Sequence, residues 1–251
     1  MALFQLFRRD VFGNIIFLKR LMMALMGWIT YNRLNVVNKT EIKGMEHLQK
    51  LPGRNVLFVS NHQTYFADVM TFYHIFFSAK WGFKNSIDNP VYLLNPKASI
   101  YFVAAEETMK SGLLPRLFSM AGAVTVKRTW RSLGKDVKRE VDFNEVENIG
   151  LALSDGWLVS FPQGTTKAFA QGRKGSAHII KQFKPIVVPV TINGFRRAFD
   201  KRGLSIKKPG TSLQVTFKPP LDINFEDEPQ IILDIVMNAI EQTDDFAFNV
   251  G

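Results

Sequence analysis

Three observations place this chain of 251 residues in the α/β class, as a single domain with a mixed, mostly parallel sheet flanked by helices. Short continuous apolar runs such as Val56-Leu57-Phe58-Val59 and Ile186-Val187-Val188 alternate with longer helix-like segments, the pattern of strands covered on both faces. Two polar blocks, residues 61–68 and 161–166, each follow such a run directly. No Gly/Ser/Pro linker and no internal repeat divides the chain.

The elements follow in order. From Met1 to Tyr31 apolar residues are dense, but Arg8-Arg9 and Lys19-Arg20 interrupt them, so no run approaches the roughly eighteen residues a spanning helix needs. Residues 1–34 are therefore expected to form an amphipathic, membrane-associating helical segment and residues 35–251 the α/β domain. Arg8 and Lys19 are eleven apart, as are Arg9 and Arg20, close to three helical turns, which would gather the four cations on one side of a helix. Phe17, Leu21, Met22, Leu25 and Trp28 would then supply apolar surface for an anionic membrane interface. A helix packed on the domain is the other reading, and the mid-segment charges argue against a signal peptide.

Asn35 to Lys43 reads as an edge strand. Further strands are expected at Asn55 to Ser60, Ser99 to Ala104, Ala123 to Lys127, Trp157 to Phe161, Ile186 to Ile192 and Leu213 to Phe217. Between them, helices are expected at Asp68 to Ala79, Leu113 to Ala121, Asp136 to Ser154 and Lys174 to Phe183. A last helix should begin near Pro229, where proline suits the first turn and Glu226, Asp227 and Glu228 suit its positive end.

The 32 Lys and Arg outnumber the 22 Asp and Glu, for a net charge of +10, which favours anionic partners such as phospholipid headgroups, acidic carrier proteins or phosphorylated ligands. Nucleic acid fits the charge, yet the sequence offers no motif that reads it, so it is not an expected partner. The absence of cysteine excludes a disulfide framework, thiolate catalysis and Cys-ligated metal. No Walker loop, dinucleotide glycine motif or His/Asp metal-ligand pattern is present, so neither a metal nor a resident cofactor is expected.

Chemistry concentrates in Asn61-His62-Gln63-Thr64-Tyr65-Phe66-Ala67-Asp68. An imidazole titrates near neutrality, and a nearby carboxylate can hold it in one tautomer and stabilise its protonated form, so His62 and Asp68 form a candidate general-base pair. An offset of six residues puts the two side chains on different faces of a continuous helix. The block must therefore turn, with His62 on a loop and Asp68 near the N-terminus of the next helix, where the dipole favours a carboxylate. The plainer reading is that Asp68 is a helix-terminal carboxylate and His62 an ordinary loop residue. The second block, Phe161-Pro162-Gln163-Gly164-Thr165-Thr166, follows Trp157-Leu158-Val159-Ser160.

Together these blocks resemble the glycerophospholipid acyltransferase family, the PlsC-type 1-acylglycerol-3-phosphate acyltransferases, whose blocks read NHxxxxD, a glycine-to-arginine block, FPEGTR and an apolar block around VP. Gly122-Ala123-Val124-Thr125-Val126-Lys127-Arg128 fits the second and Ile186-Val187-Val188-Pro189-Val190 the fourth, so the resemblance covers roughly residues 40 to 220. Two departures stand out. Five residues rather than four separate His62 from Asp68, and Gln163 and Thr166 stand where the family has Glu and often Arg.

The resemblance implies a glycerol-3-phosphate acyltransferase-like fold and transfer of a fatty acyl group from acyl-CoA or acyl carrier protein, as co-substrate, to a lysolipid hydroxyl such as that of 1-acylglycerol-3-phosphate. It implies direct attack without an acyl-enzyme, with His62 and Asp68 catalytic, and Asn61, Arg128, Gln163, Gly164, Thr165 and Thr166 on the substrate side; Lys167, Arg173 and Lys174, close in sequence, are candidates to compensate for the charges the third block lacks. The N-terminal segment adds an expected peripheral location on the cytoplasmic face of a membrane; a non-enzymatic basic module binding membranes or polyanions would also explain the charge and that segment, but would leave the ordered blocks as coincidence. A third block ending in Thr-Thr resembles the branch acting on lysophosphatidylcholine-type acceptors, which keeps a lysophosphodiester or a phosphate-free lipid open as acceptor. Backbone amides around Gly164-Thr165 are candidate oxyanion donors.

Other features have plainer readings. Phe72, Tyr73, Phe76 and Phe77 read as core, or as walls of an acyl channel. His74 and His178 read as structural histidines and His47 as a surface residue. The basic stretch Arg128 to Arg139 reads as a solvated face.

Overall fold

The computed structural model describes residues 7–97, 99–109, 120–127, 131–132, 135–136 and 143–247. In chain order the principal elements are α1 (Ile16–Tyr31), β1 (Lys39–Lys43), α2 (Glu46–Gln49), β2 (Val56–Ser60), α3 (Ala67–Lys80), β3 (Ile100–Ala105), α4 (Glu106–Met109) and β4 (Ala123–Val126). They continue with β5 (Arg131–Ser132), β6 (Lys135–Asp136), α5 (Phe143–Asp155), β7 (Trp157–Ser160), α6 (Lys174–Phe183), β8 (Ile186–Asn193), α7 (Phe195–Ala198), β9 (Ser212–Phe217), α8 (Pro229–Ala239) and α9 (Asp244–Ala247).

Seven strands form one sheet in the order β1-β9-β8-β2-β7-β3-β4, parallel at every pairing except β8 with β9. The expected α/β architecture is what the chain adopts. Alternate residues of β2 serve two cores, as a sheet covered on both faces requires. Val56 and Phe58 face the aromatic side with Phe72, Phe76 and Phe217, where the Phe58 and Phe76 rings lie 4.5 Å apart. Leu57 and Val59 face α5, α6 and α8 through Leu153, Ile180 and Val236. Phe72, Tyr73, Phe76 and Phe77 are thus buried core residues, none of which lines the cleft that His62 borders.

Several boundaries differ from the sequence reading. The edge strand begins at Lys39 rather than Asn35, because Asn32–Val36 forms a π-helical turn at the end of α1. The helix expected from Asp136 begins at Phe143, since Asp136 pairs antiparallel with Arg131 between the short strands β5 and β6. The expected helix Leu113 to Ala121 lies almost wholly outside the described residues. His178 lies exposed on α6.

The N-terminal segment departs further. Arg8 and Arg9 precede α1, and Lys19 is buried, its Nζ 3.1 Å from Asp10 and 3.9 Å from the centre of the Tyr101 ring. The four cations therefore do not share one helical side. The long Lys19 stem crosses apolar surface, and Asp10 neutralises its ammonium there. α1 packs against α3 and the turn Pro90–Leu94, where a Cβ on Gly27 would fall 2.4 Å from Leu93 Cδ2, so a larger residue there would require the Leu93 side chain to move. Among the described residues, no helix is long and apolar enough to cross a membrane.

His74 joins the two helices. Its Nε2 lies 2.9 Å from Thr30 Oγ1 on α1, its Nδ1 lies 2.9 Å from the Tyr92 hydroxyl, and burial pushes its pKa down from 6.5 to about 3. The unfolded chain therefore takes up a proton that the folded chain refuses. Stability present above about pH 6.5 is lost progressively as the pH falls toward about 3. Denaturation midpoints at pH 7 and pH 4.5 are expected to differ less for His74→Gln than for the native chain. An equal difference would exclude His74 as the source.

Candidate active site

The site is built at the C-terminal ends of β2, β7 and β8. At the end of β2, the Asn61 side chain takes over the strand pairing: its Nδ2 donates to the Ile192 carbonyl at 2.9 Å, and the Ile192 N–H donates to its Oδ1 at 2.8 Å. The main chain is thereby released from the ladder, and residues 62–66 turn around the Asp68 carboxylate. Asp68 is fully buried at the second position of α3. Its Oδ2 accepts from His62 Nδ1 at 2.9 Å, the Gln63 N–H at 2.6 Å and the Thr64 N–H at 3.0 Å, while Oδ1 accepts from Thr64 Oγ1 at 2.7 Å.

The additional residue between His62 and Asp68 is accommodated in this loop. The Tyr65 and Phe66 amides donate outward to the carbonyls of Lys201 and Arg202, at 3.1 and 2.9 Å. Because a carboxylate can only accept, Nδ1 of His62 carries the hydrogen, and Nε2 is left as an acceptor with no protein hydrogen bond among the described residues. The ring stacks on Phe161 with centroids 3.9 Å apart, which fixes its plane. It borders a cleft of about 110 Å³ whose walls include Val69, Phe102, Met109, Phe161, Gly164 and Thr165.

After β7 the chain turns through Gly164, at φ 63°, and the Gly164 N–H donates to the Phe161 carbonyl at 2.9 Å. That amide is committed to the turn. Of the two expected oxyanion donors at the cleft wall, Thr165 alone keeps a main-chain N–H without an acceptor among the described residues.

The expected substrate-side residues separate into groups. Gly164 and Thr165 border the cleft with His62, while Asn61 sits beneath it as a strand tie. Gln163 is buried and turned away, donating through Nε2 to the Ala170 carbonyl at 2.9 Å and to Gln242 Oε1 at 3.1 Å. Lys167 and Arg173 are exposed and are not among the cleft-lining residues. Arg128 lies outside the described residues.

Sequence reasoning missed Arg196, on α7. Its guanidinium donates to the Thr166 carbonyl through Nε at 3.2 Å and Nη2 at 2.5 Å, and to the His62 carbonyl at 3.2 Å. The Arg196 N–H donates to Gln63 Oε1 at 3.2 Å. Burial lowers its pKa, and the Asp68 charge opposes that shift. Thr166, whose side chain offers no guanidinium, thus contributes a carbonyl that an arginine from elsewhere holds. The available signal was position: Gly194-Phe195-Arg196-Arg197 directly follows a strand ending at the catalytic edge.

A histidine oriented by a buried carboxylate, with its acceptor nitrogen on an apolar cleft beside a glycine turn, defines a domain for base-assisted transfer at a carbonyl or similar centre. The chain belongs to the Acyltransferase family, which matches residues 39–193. Its fold is similar to the crystal structure of the 1-acyl-sn-glycerophosphate (LPA) acyltransferase PlsC from Thermotoga maritima, with a TM-score of 0.52 and 18% sequence identity over 89% of this chain and 78% of that one. No curated protein matches the sequence.

Two substitutions test the geometry. Arg196→Met is expected to lower kcat about tenfold to a hundredfold with a smaller change in KM, because it releases the two carbonyls that register His62 against the third block. An unchanged kcat would show that the tie is dispensable. Gln163→Glu, the family's residue, would set a carboxylate against two acceptor oxygens and is expected to cost about 1–3 kcal/mol in denaturant unfolding. A more stable variant would refute that reading of the Gln163–Gln242 pair.

Proposed function

We propose that the chain transfers a fatty acyl group from a thioester, acyl-CoA or acyl carrier protein, to the hydroxyl of a lysolipid such as 1-acylglycerol-3-phosphate, in membrane-lipid synthesis. The observation that carries the reading is the His62–Asp68 pair on an apolar cleft in a member of the Acyltransferase family. Nε2 takes the hydroxyl proton as the oxygen attacks the thioester carbonyl. The C–S bond then breaks, and the imidazolium returns a proton to the leaving thiolate. Asp68 stabilises the imidazolium between these steps, and the Thr165 N–H is the candidate donor to the oxyanion.

Where the acceptor stands, one observation favours the second reading. Gln163 faces away from the cleft and Thr166 holds Arg196, so neither provides the charged contacts associated with a phosphomonoester acceptor. A lysophosphodiester or a phosphate-free lipid therefore remains beside lysophosphatidate. Access to such lipids is supported by α1, whose Phe17, Leu18, Leu21, Leu25, Trp28 and Ile29 are all exposed and fall within about 120° of its circumference. This face suits peripheral attachment to a membrane on the cytoplasmic side.

Release of coenzyme A thiol from acyl-CoA, measured across a panel of lysophosphatidate, lysophosphodiester and phosphate-free acceptors, tests the function. At least one acceptor is expected to drive release, and His62→Ala is expected to lower it by about 10²–10⁴-fold with the fold intact. Activity retained within about tenfold would remove His62 as the base.

A further inference from the structure

At the far end of the sheet from His62, where the chain enters β2, β3 and β7, five cations surround a cleft of about 200 Å³: Arg8, Arg9, Arg20, Lys80 and Lys97. Gly53, Ser99 and Asp155, which precede those three strands, form its floor with Asp10 and Ile16. Its two carboxylates are already engaged. Asp10 binds the buried Lys19 at 3.1 Å, and Asp155 accepts the Tyr101 hydroxyl at 2.6 Å.

The cations are not matched in this way. Among the described residues, the side chains of Arg8, Arg20, Lys80 and Lys97 make no hydrogen bond or ion pair with the protein. Lys80 instead lies over the Trp157 ring, 4.5 Å from its centre. Burial, then the neighbouring Lys97 ammonium, push its pKa down to about 8, while the Asp155 charge opposes that shift. Five positive groups thus face two carboxylates across this cleft, one of them already paired with Lys19, and a bound anion would balance the excess. Guanidinium forks and ammonium donors on several sides suit a phosphate oxygen cluster.

The position of the cleft indicates which phosphate. Ile16 and Arg20 belong to α1, and the neighbouring Phe17 and Leu21 are 53% and 44% exposed at the start of its apolar face. We propose that this cleft binds the phosphate of an anionic phospholipid whose chains lie along the exposed face of α1. The proposal rests on the reading of α1 as a membrane-facing helix. It assigns the second site a separate role from acceptor recognition at His62, since the two occupy opposite ends of β2.

The test uses the full chain and cosedimentation with vesicles of phosphatidylcholine, alone or mixed with phosphatidylglycerol. A variant combining Arg8→Gln, Arg20→Gln and Lys97→Gln removes exposed cations only, so its fold should persist. A control combining Lys43→Gln, Lys50→Gln and Lys84→Gln carries the same net charge. Each cation near an anionic surface contributes about fivefold, so the cleft variant is expected to lose at least about tenfold of the preference for phosphatidylglycerol, with the control keeping most of it. Thermal stabilisation by inorganic pyrophosphate distinguishes a soluble source. If the cleft variant loses that stabilisation but keeps the vesicle preference, the anion site stands and its ligand is a free phosphate compound. If cleft and control variants behave alike in both assays, the site is overturned. Leu25→Glu with Trp28→Glu separates the premise: loss of all vesicle binding in that variant, beside an inert cleft, leaves the membrane reading standing and rejects the headgroup site.

Discussion

A carboxylate cut off from solvent fixes the end of this domain that holds His62. Removing Asp68 from water is tolerable only because every hydrogen bond it needs is delivered by the loop that precedes it. All four of those donors come from residues 62–64, so the carboxylate dictates the path of the turn, and that path sets the imidazole at the edge of the cleft. The start of α3 adds its dipole. The placement of the imidazole and the loop conformation are therefore one constraint, in which the proposed base cannot be displaced without exposing or stranding the charge behind it.

The same helix connects this end to the other. α3 begins beside His62 and ends at Lys80 in the cationic cleft, while α1 begins at that cleft and reaches Thr30 against His74 near the middle of α3. The two helices run side by side in opposite directions over one face of the sheet. A surface that receives α1 would lie alongside both ends of the sheet. The buried Lys19–Asp10 pair and the close contact at Gly27 give this helix a defined seat, so its exposed apolar face is held outward by packing rather than left loose.

The sheet was legible in the sequence because its strands are covered on both faces, which makes their residues continuously apolar; β2, β3, β7 and β8 start or end within a residue or so of the expected positions. The His62–Asp68 pair was legible because both partners lie in one turn. What escaped depends on partners distant in sequence. Lys19 has the sequence appearance of a surface cation, but Asp10 and Tyr101 make burial tolerable. Gln163 belongs to a substrate block by position, yet its amide is claimed by Gln242 from the end of α8, and Arg196 has no motif that announces contacts to His62 and Thr166. Periodicity reports which face is buried; it does not report which distant polar group satisfies a side chain there.

The departures from the family pattern acquire a common explanation in these contacts. A lengthened first block would leave a loose loop, but the carbonyls of Lys201 and Arg202 engage its two outward amides. A glutamine in place of glutamate suits a pocket whose facing atoms are acceptors, because an amide brings the donors that a carboxylate lacks. A threonine in place of arginine removes a guanidinium from the third block, while Arg196 brings one in from α7 and spends it on main-chain carbonyls. Polar groups at these positions are thus committed to joining the first, third and fourth blocks to one another. The charge left to choose an acceptor must come from outside those joints, so acceptor preference in this chain can change while the apparatus of acyl transfer stays the same.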